Sequence, residues 1–159
     1  MIHRGIASLA SAIMICFLLL GHFDQQFFLI HFYESLVFLA IVLMLFYMLE
    51  RWAYMLGMLV PSVWLLLTFA MGAWSGFARQ VKVALHFRQP DSAADLLGAI
   101  TAGLCVALII VCARHWKREF AGLGKGWSTF WICFGVTTAY YALLVLWILR
   151  WTPVAGLGT

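Results

Sequence analysis

Residues 27–77 read FFLIHFYESLVFLAIVLMLFYMLERWAYMLGMLVPSVWLLLTFAMGAWSGF, two long apolar runs separated by only Glu50, Arg51 and Trp52. Each run exceeds the roughly 20 residues that a helix needs to cross a hydrocarbon layer about 30 Å thick. Backbone amides in lipid have no water to bond, so each run must be a helix that satisfies its own N–H and C=O groups. Three connecting residues leave room only for an antiparallel return, so this stretch is a transmembrane helical hairpin.

The same reading extends in both directions. An apolar segment at 5–21 precedes a polar turn, Asp24-Gln25-Gln26, and the hairpin spans then run over 27–49 and 53–77. Two more apolar segments follow at 94–113 and 128–149. The expected fold class is therefore all-α: a polytopic integral membrane helix bundle with about five transmembrane helices, forming one membrane domain over 1–159. Composition agrees, since the 159 residues are 65% hydrophobic and 10% charged, with a mean hydropathy of +1.01. Soluble domains are about half apolar and a quarter charged, and a chain this small cannot hide such an excess from water.

Tryptophan placement marks the span ends independently. Trp52, Trp74, Trp116, Trp127, Trp131, Trp147 and Trp151 all lie within about a turn of an expected boundary, where an indole N–H stays hydrated. Trp64 alone sits mid-span, near Pro61, whose missing amide is expected to kink the third helix. The opening Met1–Arg4 followed by an apolar stretch imitates a signal peptide. No small-residue cleavage site follows Leu20, however, and the segment is read as a mature helix.

Net charge is +4 and the pI near 9.1, but the basic residues gather at the ends of apolar segments, which excludes nucleic acid as the implied partner and points to lipid headgroups. Arg79, Lys82, Arg88, Arg114, Lys117 and Arg118 are the headgroup candidates. Arg79, Lys82 and His86 recur at helical spacing while Val81, Ala84 and Leu85 occupy another face, so 78–89 is expected to be an interfacial amphipathic helix. Asp91 or Ser92 can cap the fourth span. With the N-terminus inside, six Lys and Arg residues lie on the inner side and four on the outer. That balance favours an inner-membrane protein of a bacterium with its N-terminus in the cytoplasm.

The four cysteines, Cys16, Cys105, Cys112 and Cys133, fall inside apolar runs without CxxC spacing and read as small buried apolar residues. Methionines read as gap-filling core or lipid-facing residues, and the span Ser and Thr residues as hydroxyls bonded to their own or a neighbouring helix. Small residues recur at four-residue spacing in Ala94, Gly98 and Ala102, in Ala99, Gly103 and Ala107, in Gly72 and Gly76, and in Gly135 and Ala139. Such series let helix backbones approach closely.

The chemistry-bearing stretch is 21–34, GHFDQQFFLIHFYE, where four ionisable residues border or enter the second span. His31 and Glu34 are i, i+3 neighbours on one helical face, near enough for imidazole and carboxylate to hydrogen-bond. Glu34 lies about 10 Å along the axis from Phe27, below the headgroups. An ionisable group there is costly unless it turns to protein or a cofactor, so the pair is expected to face inward, with Leu29, Val37 and Leu43 facing lipid. It is the candidate ligand or proton site, against the plainer reading of a polar pair satisfied within a helix interface. His22, Asp24, His31 and His86, with Glu34, have ligand types suited to a metal, and His22, His31 and His86 are the candidates for haem on the same side.

Pro61-Ser62-Val63-Trp64 with Met71-Gly72-Ala73-Trp74 resembles the Pro-Val-Trp and Met-Gly stretch of the tryptophan-rich sensory protein (translocator protein) family, which also has five spans. The likeness covers only these residues and falls in the third span, where that family has it in the second, so no function is carried over.

The first functional expectation is an accessory or structural subunit of a larger membrane complex, without catalytic residues of its own, whose partners are membrane lipids and other integral subunits or further copies of itself. No cofactor is needed for that role. The second is a redox, quinone- or haem-linked subunit that uses His31 and Glu34 in electron transport. The third is a small oligomeric channel or carrier.

Overall fold

A computed structural model describes residues 3–86, 92–120 and 126–151. These form six helices: α1 (His3–Phe23), α2 (Phe28–Phe46, after a 3-10 turn at Gln25–Phe27), α3 (Glu50–Ala70), α4 (Trp74–Leu85), α5 (Ala93–Glu119) and α6 (Gly126–Trp151). All except α4 are long and apolar enough to cross a membrane. The chain is an all-α transmembrane bundle.

In the bundle α1 packs on α2 and α5, and α3 packs on α2, α5 and α6, while α4 lies against α5. Each helix turns one stripe inward. On α1 it is Ile6, Ala10, Ile13, Phe17 and Leu20, on α2 Glu34, Phe38, Ile41 and Leu45, and on α3 Ala53, Leu56, Val60 and Trp64. The steps of three and four residues keep each stripe on one face of a helix. The four free cysteines are all buried, as small apolar residues should be.

Several expected boundaries move. The hairpin does not turn at Glu50-Arg51-Trp52 but at Tyr47-Met48-Leu49, where Met48 takes φ 58°. Glu50 and Arg51 instead open α3, which places an acid against the positive end of the helix dipole. Hydropathy misses this turn because its residues are apolar. The third span ends at Ala70 rather than Phe77, because Gly72 at φ +75° reverses the chain. Gly72 and Gly76 are therefore not one helix face. Gly72 sits in the turn in open space, and Gly76 meets the Asp95 carboxylate, 3.2 Å from where a Cβ would stand.

The amphipathic helix begins at Trp74, four residues before the expected start at residue 78. Its fully buried residue is Gln80, Phe77 leans on the core against Gly98 of α5, and Val81 and Leu85 are exposed. Residues 87–89 of the expected segment, Arg88 among them, lie outside the described residues. Ser92 caps α5 by accepting from the amide of Asp95 at 3.2 Å. The fourth span does not stop at Ala113: α5 continues to Glu119, carrying Arg114, Lys117 and Arg118 on its last turns, where cations favour the helix terminus. Tyr54 rings with His115 and Phe120 there, and His115 lies 3.5 Å from Glu119.

Close packing uses glycine at three internal contacts. A Cβ at Gly57 would stand 2.7 Å from Cys112 Sγ, one at Gly98 2.5 Å from the Phe77 ring, and one at Gly21 2.9 Å from the Phe28 ring. Only the absence of a side chain lets α3 and α5 approach so closely. Span hydroxyls bond back within their own helices, as Ser62 does to the Met58 carbonyl, Thr101 to Leu97 and Thr68 to Trp64.

Candidate functional site

Glu34 is buried, only 8% exposed, among α1, α2 and α3. One carboxylate oxygen, Oε2, lies 3.1 Å from His31 Nδ1, one helical turn away. The other, Oε1, accepts from the indole Nε1 of Trp64 at 3.2 Å. Phe17 of α1 covers the assembly: its ring stacks on His31 with centroids 6.4 Å apart, and it meets Trp64 edge-on at 5.4 Å. Phe38 stacks on Phe17 from the next turn of α2. The expected inward orientation of the pair is observed, and both carboxylate oxygens have partners.

Trp64 is the partner that sequence reading did not assign. Its signal was present, since an indole N–H in mid-span requires an acceptor and Glu34 is an acid well inside an apolar run. Outward residues on α2 include Leu29 and Leu43, as expected, together with Phe32, Leu36 and Leu39. Val37 instead leans on the core. It lies three residues from Glu34, hence close to the same side of the helix, and not opposite.

A second polar junction joins α2 to α6. The rings of Tyr33 and Tyr140 stack at 4.2 Å, Tyr33 donates its hydroxyl to the Tyr140 carbonyl at 3.2 Å, and the Tyr140 hydroxyl donates to the Tyr33 carbonyl. Next to it, Tyr141 is 97% buried, since only 3% of it is exposed. Its hydroxyl and that of Thr137 have no hydrogen-bond partner among the described residues. A buried hydroxyl without a partner is a donor that a water or a polar group of a ligand can satisfy.

The remaining candidates are dispersed. His22 is exposed and meets the neighbouring Phe23 ring, and His86 is exposed with Nδ1 donating to the Lys82 carbonyl at 2.8 Å. Among the described residues no three His, Cys, Asp or Glu side chains are grouped to hold a metal ion, so His22, Asp24, His31, Glu34 and His86 do not make one ligand set. Arg79, Lys82, Arg114, Lys117 and Arg118 are exposed, where headgroup contact is open to them. No protein-family model matches the chain, and no curated protein or solved structure matches it either.

Proposed function

We propose that this chain is a small accessory subunit of a larger membrane assembly, attached to its partner through the outward face of α6. The reading rests on where the glycines stand. Gly21, Gly57 and Gly98 serve contacts within the chain, but Gly135 in mid-span on α6 has open space where a Cβ would be, and Ala139 one turn on is exposed beside it. Glycine weakens a helix interior by about 1 kcal/mol relative to alanine, and its return in a membrane is close approach by another helix. Within the chain α6 packs mainly on α3, which leaves that face uncovered. The Glu34 cluster supports the same role, because its carboxylate is engaged on both oxygens by its own chain, as a structural clasp would be.

The Lys and Arg balance of six against four supports a bacterial cytoplasmic membrane with the N-terminus inside. Extraction in a mild detergent should yield a particle well above the 18.0 kDa of the chain, with partners or further copies identified by mass spectrometry. Gly135→Leu should reduce it to the single chain with helicity retained. A wild-type chain that purifies as a lone folded monomer would remove this reading.

One observation favours a redox or quinone-linked role as a second reading. The buried Tyr141 hydroxyl, which has no hydrogen-bond partner among the described residues, can donate to a carbonyl oxygen, which is what a quinone headgroup offers. Solvent extraction and chromatography of the purified protein should then recover a quinone that Tyr141→Phe loses, and a Soret band would indicate haem instead. A colourless, quinone-free wild type would set the reading aside.

A further inference from the structure

Between α4 and α5 runs a groove of about 540 Å³, walled by Trp74, Phe77 and Val81 on one side and by Gly103 and Val106 on the other, with Lys82 its charged lining residue. From this geometry we infer that the groove is a binding site for one anionic phospholipid, its acyl chain lying on the small-residue face of α5 and its phosphate held by Lys82. The wall is almost wholly apolar, so water is disfavoured as a filling, and the volume is within the range of about 300–1,000 Å³ usual for small-molecule sites.

Gly103 explains the shape. A Cβ there would meet nothing within 4 Å, so the glycine widens the groove without serving any contact inside the chain. The second small-residue series of α5, Ala99 and Gly103, thus faces this space rather than a neighbouring helix. Charge selects the occupant. Lys82 is exposed at the groove, and Arg79 is exposed one turn earlier on the same helix. The nearby acid, Asp95, lies against Gly76 and does not line the groove. A cation at the edge of an apolar groove matches a phosphate with a hydrocarbon tail, whereas a partner helix would have to bring an acid of its own. The site is separate from the α6 face and does not depend on the subunit reading.

Native mass spectrometry of the full chain, released from micelles containing equal phosphatidylglycerol and phosphatidylcholine, tests this. The wild type should retain one phosphatidylglycerol in preference to phosphatidylcholine. Near a membrane surface one lysine contributes about fivefold to the attraction of anionic lipid, so Lys82→Met should lower that preference about fivefold. Arg79→Met removes the same charge outside the groove and should leave most of it. Gly103→Leu, which fills the groove from open space, should lower retention of both lipids with circular dichroism unchanged. If that variant misfolds, the Lys82 and Arg79 pair decides, because both residues are exposed. Equal effects of Lys82→Met and Arg79→Met would reduce the preference to general surface charge and overturn the site. So would full lipid retention by folded Gly103→Leu, including the case in which that variant loses a co-purifying protein instead.

Discussion

Glu34→Ala is expected to destabilise the bundle by about 2 to 4 kcal/mol, while Glu34→Gln changes it by less than about 1 kcal/mol. Alanine leaves two donors, the buried Trp64 Nε1 and the part-buried His31 ring nitrogen, facing a void where the carboxylate stood. An unsatisfied buried polar group costs about 1 to 3 kcal/mol in a soluble protein. Interhelical hydrogen bonds in membranes average nearer 0.6 kcal/mol, because the separated helices find other partners, so the lower part of that range applies to each donor. Glutamine keeps an oxygen for Trp64 and presents an amide N–H to His31, whose tautomer can adjust to accept it. Reversible unfolding in mixed detergent micelles measures both variants. If Gln were as damaging as Ala, the carboxylate's charge, and not its hydrogen bonds, would be what the cluster needs, and the clasp would be the wrong description. Trp64→Phe, which removes one donor and keeps an aromatic ring edge-on to Phe17, should fall between the two.

The second large effect is expected at the contact of α3 with α5. Gly57→Ala puts a methyl 2.7 Å from Cys112 Sγ, inside van der Waals contact, with Cys112 itself fully buried. Overpacking of this kind costs about 1 to 3 kcal/mol, relieved by the helices moving apart or by Cys112 Sγ rotating into its packed surroundings. Cys112→Ala removes the sulfur, and the residue-112 Cβ lies 3.8 Å from the new methyl, an ordinary contact. The double variant should therefore be more stable than the sum of the two single changes allows, with a favourable coupling of about 1 kcal/mol or more. A double-mutant cycle on unfolding free energy checks this. Strict additivity would show that α3 and α5 are not in contact at this point.

These two contacts differ in how far they could be read in advance. The His31–Glu34 pair followed from i, i+3 spacing and the energetic demand that an acid in hydrocarbon find a partner. That demand does not say which helix supplies the partner, and Trp64 comes from thirty residues away in the chain. The Tyr33–Tyr140 junction was still less visible, since both hydroxyls bond to backbone carbonyls, which every residue offers.

What the sequence by itself determined is the number and approximate position of the membrane crossings, the polar turn at Asp24, a cap at Asp91 or Ser92 and the inward orientation of Glu34. All of these depend on the difference between apolar and polar residues along the chain. What only the tertiary structure decided is which stripe of each span meets another helix, where α2 and α3 actually turn, and which way α4 faces. The physical reason is that lipid and protein core are equally apolar, so an inward Phe38 and an outward Leu39 carry the same hydropathy. In water, burial would have marked the difference as an amphipathic pattern. In a bilayer it is set by shape, and the complementarity of Gly57 with Cys112, or of Gly98 with Phe77, exists only once the helices have met.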